Sequence, residues 1–424
     1  MPTATESLIR DEIAGPVRAI GDGPLTESRL AEHIRPLFSR VLRRDEIYLA
    51  NHSLGRPLDL TAHEVANALD LWYERMDHAW GPWLEAQTKY RALMARLIGC
   101  ARPDAVVPKT SAGQGLRAVL NALPTTKPNI VATRGEFDSI DFILKTYAAR
   151  GRAEISWVGG DARGAFHGRD VAAAITPETD LVMVSQVLFV TGLVLDNLET
   201  VIARARECGA LVVLDTYHSA GVIDVGFDRL APDFAIGGNY KYTRGLTGAC
   251  WLAVHPRHLD KLDDRGEASA GALTTLDTGW FAKRDTFKYE RHDTPRLSYG
   301  GDAWLESTPP VLTYYQAMGG LELTLALGVD RLRAYSLEQQ AILREQLGAH
   351  GVQTTALGTH GGYLLVPHSG AMTKSDELRD RGVATDARPC PVTGTGYIRL
   401  CPDILTTRDE MERAAQIVGS VMRG

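Results

Sequence analysis

Between about residues 105 and 255, short apolar runs alternate with helix-like segments: Val106-Val107, Asn129-Ile130-Val131, Ile155-Ser156-Trp157-Val158, Leu181-Val182-Met183-Val184, Leu211-Val212-Val213-Leu214, Phe234-Ala235-Ile236 and Cys250-Trp251-Leu252-Ala253-Val254. This is the βαβ rhythm of a mostly parallel sheet. Such strands are covered by helices on both faces, so they read as continuous apolar runs rather than alternating ones. The pattern predicts an α/β protein with a mostly parallel, seven-stranded central sheet flanked by helices.

The flanking text differs. Before the sheet, Ile47-Tyr48-Leu49-Ala50 reads as a short strand entering a turn-rich loop, Asn51 to Pro57. Val65, Leu69 and Trp72 then recur at helical spacing, and a second helix is expected from Leu84 to Ile98, ended by Gly99. Residues 256–310 are charged and Gly-rich and predict an irregular loop region. Helices are expected over Tyr314–Leu327, Leu332–Leu347 and Arg408–Met422, with strands at Gly362–Val366 and Tyr397–Leu400. This divides the chain into an N-terminal segment (1–60) packing on the small domain, a large domain (61–310), and a smaller C-terminal α+β domain (311–424).

At 424 residues with 44% hydrophobic content, the chain can bury a substantial core. The formal charge is −6, with no block of Lys or Arg, which argues against nucleic acid or an anionic membrane surface as partner. No run approaches the roughly 20 apolar residues of a membrane span, and no leader is legible at the N-terminus, so the expected location is cytoplasmic. The five cysteines (Cys100, Cys208, Cys250, Cys390, Cys401) are scattered, form no C-x-x-C pair, and read as free thiols with no metal site.

The chemistry concentrates where two strands end. The run Leu211–Leu214 leads into Asp215-Thr216-Tyr217-His218, and after the next run comes Gly237-Gly238-Asn239-Tyr240-Lys241-Tyr242. A carboxylate at a strand end can keep the pyridine nitrogen of pyridoxal phosphate protonated, while a lysine on the neighbouring loop bonds to its aldehyde carbon. Gly237, Gly238 and Gly245 let the backbone approach closely. Alone, Lys241 would read as a surface lysine and Asp215 as a cap or metal ligand; the pair in this strand context favours the cofactor. His218 either stacks near the cofactor or fills the core beside it.

Thr110-Ser111-Ala112-Gly113-Gln114-Gly115 lies between a strand and a helix and can cradle a phosphate with N–H groups and hydroxyls. It also fits a dinucleotide pattern, with Glu136 about 20 residues further on where a ribose-binding acid is expected. A nicotinamide dehydrogenase is therefore an alternative, though it leaves Asp215 and Lys241 unexplained. Phe137, at a helix start, either stacks on a cofactor ring or serves as a core aromatic. Arg399 either binds a substrate carboxylate bidentately or forms a structural salt bridge.

The order of these elements resembles the fold-type I pyridoxal phosphate enzymes of the class V aminotransferase group, and among them the kynureninases. The resemblance runs from about Tyr48 to Arg399. It rests on Asn51-His52-Ser53-Leu54-Gly55, Phe137-Asp138-Ser139, Phe189-Val190-Thr191-Gly192, Asp215 to Gly221, Tyr240-Lys241-Tyr242, Gly279-Trp280-Phe281, Thr308-Pro309-Pro310 and Tyr397-Ile398-Arg399. The resemblance implies Lys241, Asp215 and Tyr240 as catalytic groups, Thr110, Ser111 and Tyr240 at the phosphate, and Phe137 on the ring. It also implies Arg399 on the substrate α-carboxylate, and Trp280 and Thr308 reaching the partner's cofactor across a homodimer. Ser139, Ser185 and His218 complete the expected cofactor-binding set, and His52 and His78 join Arg399 as candidate substrate-binding residues.

The implied reaction is Cβ–Cγ cleavage of kynurenine or a related amino acid with release of alanine. A cysteine desulfurase or C–S lyase with Cys390 as sulfur acceptor, another class V reaction such as transamination or epimerisation, and a silent cofactor-binding protein are the other readings. The chain departs from the kynureninase pattern at Asn51-His52, at Ala282-Lys283 after Trp280-Phe281, and at Ile140, where an acid usually sits.

Overall fold

A computed structural model describes residues 8–269 and 271–423. The central sheet is formed by β1 (Val106–Lys109), β2 (Asn129–Thr133), β3 (Glu154–Val158), β4 (Leu181–Ser185), β5 (Leu211–Asp215), β6 (Phe234–Gly238) and β7 (Cys250–Val254). Their spatial order is β1-β7-β6-β5-β4-β2-β3, a seven-stranded sheet. All neighbours are parallel except those of β7, which runs antiparallel to both β1 and β6. Every residue of β4, β6 and β7 is buried, as expected of strands covered on both faces. Pro108 sits in β1, an edge strand, where its missing N–H costs no ladder bond on the open side.

The expected helices are present, longer by up to a turn: Leu60–Arg75, Trp80–Ile98, Val311–Leu327, Val329–Ala349 and Arg408–Arg423. Gly99 ends the second of these in the left-handed conformation (φ 71°). Among the described residues, 256–310 hold short 3-10 turns and the isolated antiparallel bridges Leu262 to Ala268 and Lys283 to Leu297. The N-terminal segment is more structured than a polar stretch suggests. Helices Asp11–Ile20 and Glu27–His33 bury Ile13, Val17, Ile20 and Leu30 in a cluster with Leu323, Leu327, Tyr335 and Leu405.

The C-terminal part carries an antiparallel sheet of β8 (Leu364–Pro367), β9 (Asp386–Pro389) and β10 (Gly396–Leu400), ordered β9-β10-β8. Ile47–Tyr48 pairs in parallel with Val383–Ala384, and Ile47 and Leu49 join the apolar cluster of this sheet. The helix Val311–Leu327 is buried on nearly all sides and contributes both to the large core (Tyr314, Ala317, Leu321) and to the N-terminal cluster (Leu323, Leu327). Its buried Glu322 accepts from Arg10 Nε at 2.8 Å and Nη2 at 3.0 Å, and Lys89 Nζ lies 2.8 Å from it.

Candidate active site

β5 ends at Asp215 and β6 at Gly238, so the loops that follow both strands emerge at the same sheet edge. Lys241 is buried there. Its Nζ lies 2.7 Å from His218 Nε2, and Nδ1 of the same ring is 3.5 Å from Tyr242 Oη. Four rings surround the amine: Tyr217 at 4.8 Å, Phe137 and Tyr240 at 5.6 Å, and Phe189 at 5.9 Å from Nζ to the centroid. Burial, with the positive charge of Arg399 adding to it, lowers the Lys241 pKa well below that of an ordinary lysine, against the opposing pull of Asp215. Burial likewise raises the Asp215 carboxyl. His218 is held neutral by burial, Lys241 and Arg399.

The side chain of Asp215 has one hydrogen bond among the described residues, from Tyr217 N–H at 2.8 Å to Oδ1. Gly55 closes the back of the lysine loop. Its N–H donates to Tyr240 O at 2.8 Å, and a Cβ there would collide with the Lys241 carbonyl, so the backbone approach requires glycine.

Arg399, on β10, is almost fully enclosed. Nη1 donates to Phe189 O at 2.6 Å, Nη2 pairs with Asp386 Oδ2, and the guanidinium lies 4.8 Å from the Phe189 ring centroid. Asp386 is the in-register partner of Arg399 on β9, and two residues on, Arg388 pairs with Asp386 Oδ1 at 2.5 Å. His52 Nε2 is 3.6 Å from Asp386 Oδ2, and its ring lies 4.6 Å from that of Tyr363, tilted by 37°. His52 is neutral through burial, and both ring nitrogens lack a hydrogen-bond partner among the described residues.

Thr110 and Ser111 are exposed at the start of helix Ala112–Leu120. Ser111 Oγ caps the helix by accepting from Gln114 N–H at 3.0 Å, and Thr110 Oγ1 donates to Gln114 Oε1 at 3.0 Å. Cys250, opposite Lys109 on one side and Gly238 on the other, accepts from Ala112 N–H and lies 3.4 Å from Tyr217 Oη, tying this helix end to the Asp215 loop.

Ser185, the register partner of Asp215, stays beside the site, whereas Trp280, Thr308, His78 and Ser139 make no contact with Lys241 or Asp215 among the described residues. Trp280 Nε1 donates to Thr308 Oγ1 at 3.2 Å within an aromatic group of Trp80, Phe281, Phe287 and Tyr289, none of which is stacked at Lys241. His78 and Ser139 are exposed, on a 3-10 turn and in the first turn of helix Asp138–Ala149. Ser185 Oγ donates to Glu136 Oε2 at 2.5 Å. Glu136 is therefore enclosed rather than free to bind a ribose, and β1 has only the antiparallel β7 beside it, unlike the first strand of a dinucleotide fold. Phe189, Tyr217, Asp386 and Arg388 were assigned no role from sequence. Asp386 and Arg388 alternate as a strand requires, which is the signal that would have placed them on one face.

The chain belongs to the class-V aminotransferase family, whose pattern matches residues 73–359. It is similar to the kynureninase of Pseudomonas fluorescens, 26% identical with 89% of each chain covered, and to that of Geobacillus thermodenitrificans, 27% identical with 92% of this chain and 91% of the relative covered. Among solved structures it resembles the cystine C–S lyase C-DES with glycine covalently linked to its pyridoxal phosphate (TM-score 0.78, 19% identity, 91% and 98% covered). It also resembles a cysteine desulfurase from Thermococcus onnurineus (TM-score 0.77, 18% identity, 93% and 98% covered). Both likenesses are of fold.

The family is pyridoxal-phosphate dependent, and this chain is an enzyme of that kind. The residues present fit the cofactor. A buried amine of lowered proton affinity sits within an aromatic enclosure, with a carboxylate retaining an uncommitted oxygen and hydroxyls at a helix start close by. No helix among the described residues is long and apolar enough to cross a membrane.

Proposed function

We propose that the protein is a kynureninase-like hydrolase that cleaves the Cβ–Cγ bond of kynurenine or a related γ-keto amino acid. Water adds at the γ-carbonyl, the carbon–carbon bond breaks, and alanine and a carboxylic acid leave. The observation that carries this reading is the similarity to curated kynureninases along about nine-tenths of the chain, together with a carboxylate anchor beside the buried lysine.

Pyridoxal phosphate supplies the electron sink that makes the Cα proton removable. Lys241 would hold the cofactor at its aldehyde, Asp215 would face its ring nitrogen, Phe137 would cover its ring, and Thr110 and Ser111 would meet its phosphate. Arg399 binds the substrate α-carboxylate, oriented by Asp386 and the Phe189 carbonyl. The lowered proton affinity of Lys241 leaves its released amine neutral, as a base for the Cα proton, and His218 Nε2 orients it. Burial raises the Tyr240 phenol, which stays protonated and serves as a donor. The two unpartnered nitrogens of His52 are polar groups left for the substrate.

The competing readings are a C–S lyase or desulfurase, favoured by the structural likenesses, and transamination. Cys390, the sulfur acceptor of that alternative, packs in an apolar cluster with Val190, Leu365 and Tyr397. A homodimer belongs to the proposal, since Trp72, Tyr73 and Met76 are exposed by 51%, 79% and 63% at one helix end and call for cover. The free cysteines fit a cytoplasmic setting.

The test is to supply kynurenine, 3-hydroxykynurenine, cysteine and cystine to the holoenzyme and quantify alanine, sulfide, pyruvate and keto acid. Alanine with an aryl carboxylic acid supports the reading. Sulfide, or keto acid without carbon–carbon cleavage, refutes it.

A further inference from the structure

Lys241, His52 and Arg399 lie on three segments remote in sequence, and each segment runs within four residues into one enclosed ion cluster. Arg244 follows Lys241 by three residues, Arg56 follows His52 by four, and Asp403 follows Arg399 by four. Arg244 Nη2 donates to Asp403 Oδ2 at 2.7 Å, and Arg56 Nη2 pairs with Asp403 Oδ1. The three side chains are at most 11% exposed. Against burial, the charges of Arg56 and Arg244 hold the Asp403 carboxyl below the ordinary carboxylate range.

The carboxylate is fixed by its own turn. Leu405 N–H donates to Oδ1 at 2.9 Å, Asp403 N–H donates to Thr406 Oγ1 at 3.1 Å, and Gln339 Nε2, on helix Val329–Ala349, donates to Asp403 O at 2.8 Å. On the lysine side, Arg244 has φ 57°, a left-handed conformation that costs energy in an arginine. Its N–H donates to Lys241 O at 3.1 Å, closing a turn over the lysine, and its Nη1 donates to Tyr242 O at 2.5 Å. The strained turn is thus held by the tie to Asp403. The His52 loop is drawn to the same place, since Arg56 Nη2 also donates to Thr406 Oγ1 at 3.1 Å and Gly55 N–H donates to Tyr240 O.

Two arginines share one carboxylate here, and the Nε of each lacks a partner among the described residues. A buried ion triad adds little stability over a packed apolar trio, and its best-attested use is to fix one register. We propose that Asp403 is a positioning residue: through Arg244 and Arg56 it fixes the lysine loop and the His52 loop against the strand end that carries Arg399. The amine, the imidazole and the guanidinium then meet one substrate at their working distances. The proposal rests on the reading of Lys241 and Arg399 as the groups that meet cofactor and substrate. Misplacement of a reacting group by about 1 Å costs about a hundredfold in rate, so register is what the cluster contributes.

Arg244→Asn keeps a residue that accepts the left-handed conformation, is too short to reach Asp403, and leaves Asp403 paired with Arg56. Arg244→Lys can still place an ammonium on the carboxylate, and Asp403→Asn weakens both ties. In the cofactor-free protein, the peptide carrying the Gly55 amide should take up deuterium at least about threefold faster in Arg244→Asn and Asp403→Asn than in the parent, by hydrogen–deuterium exchange mass spectrometry. In the holoenzyme, exchange of the L-alanine Cα–H in deuterium oxide, followed by proton NMR per bound cofactor at saturating alanine, should be at least about tenfold slower in both. Arg244→Lys should exchange within about threefold of the parent. Unchanged Gly55 uptake or parent-rate alanine exchange in Arg244→Asn overturns the proposal whatever the melting temperature, since a purely structural tie would lower stability alone. Equal slowing in Arg244→Lys overturns it too. Should Asp403→Asn not fold, the two Arg244 variants decide. A parent holoenzyme that leaves the alanine Cα–H untouched overturns the reading of Lys241 as base, and this proposal with it.

Discussion

Replacing Asp386 by Asn removes one charge from a trio whose members differ sharply in access to water. The Arg399 side chain is 1% exposed and that of Asp386 10%, whereas Arg388 is 35% exposed. In Asp386→Asn, Arg388 is hydrated and loses at most about 1 kcal/mol, the scale of a surface pair. Arg399 keeps the Phe189 carbonyl at 2.6 Å and a bond to the amide oxygen, but no longer has a counter-charge. Removing one partner of a buried pair costs about 3–5 kcal/mol, and the retained hydrogen bonds place the expectation near 3 kcal/mol.

Adding Arg399→Met removes the stranded charge. The Phe189 carbonyl stays satisfied by Tyr363 Oη at 2.7 Å, so the double variant should recover about 2 kcal/mol of the loss. Urea unfolding of the cofactor-free parent, both single variants and the double variant, followed by far-ultraviolet circular dichroism, measures this coupling. A loss under about 1 kcal/mol in Asp386→Asn, or losses that simply add in the double variant, would refute the reasoning that the carboxylate anchor is a dry, mutually dependent pair.

Asp215→Asn should leave the fold intact and slow exchange of the substrate Cα–H by at least about a hundredfold, the kinetic equivalent of a buried charge partner worth about 3 kcal/mol; unchanged exchange in deuterium oxide would remove its proposed role. Among the described residues, Glu322→Ala removes the partner of Lys89 and leaves Arg10 with Glu64 at 2.6 Å, so stability should fall by about 2–3 kcal/mol, and an unchanged melting temperature would show the network to be idle. Glu136 binds its proton in the folded state up to about pH 7 but only to about pH 4.3 when unfolded. The folded state therefore holds more protons in that window, and stability falls as pH rises through it, by about 4 kcal/mol in all. Glu136→Gln should flatten this slope in denaturation measured across the same range, and an unaltered slope would place the proton elsewhere.

The strands were legible because each is a continuous apolar run, which burial on both faces demands and no loop supplies. Their register and the reversed direction of β7 were not legible, since direction depends on the path of the connections. The helix Asp11–Ile20 was hidden although Ile13, Val17 and Ile20 have helical spacing, because Gly15 and Pro16 interrupt it. β9 was obscured by Arg388 and Pro389, and with it the role of Asp386. Lys241, His218 and Asp215 stood out because two successive strand ends deliver them close together in sequence. Arg399 with Asp386, and Glu136 with Ser185, meet only through sheet pairing and packing, which local pattern does not encode. Glu136 was noticed for its spacing from Gly115, whereas its enclosure follows from β2 and β4 lying near one another in the sheet.

Borohydride reduction of the holoenzyme, followed by peptide mass spectrometry, tests most directly whether residue 241 carries the cofactor. A phosphopyridoxyl mass on the peptide containing Lys241, with loss of visible absorbance, is the expected result. An adduct on another lysine, or a protein that takes up no pyridoxal phosphate, would contradict it.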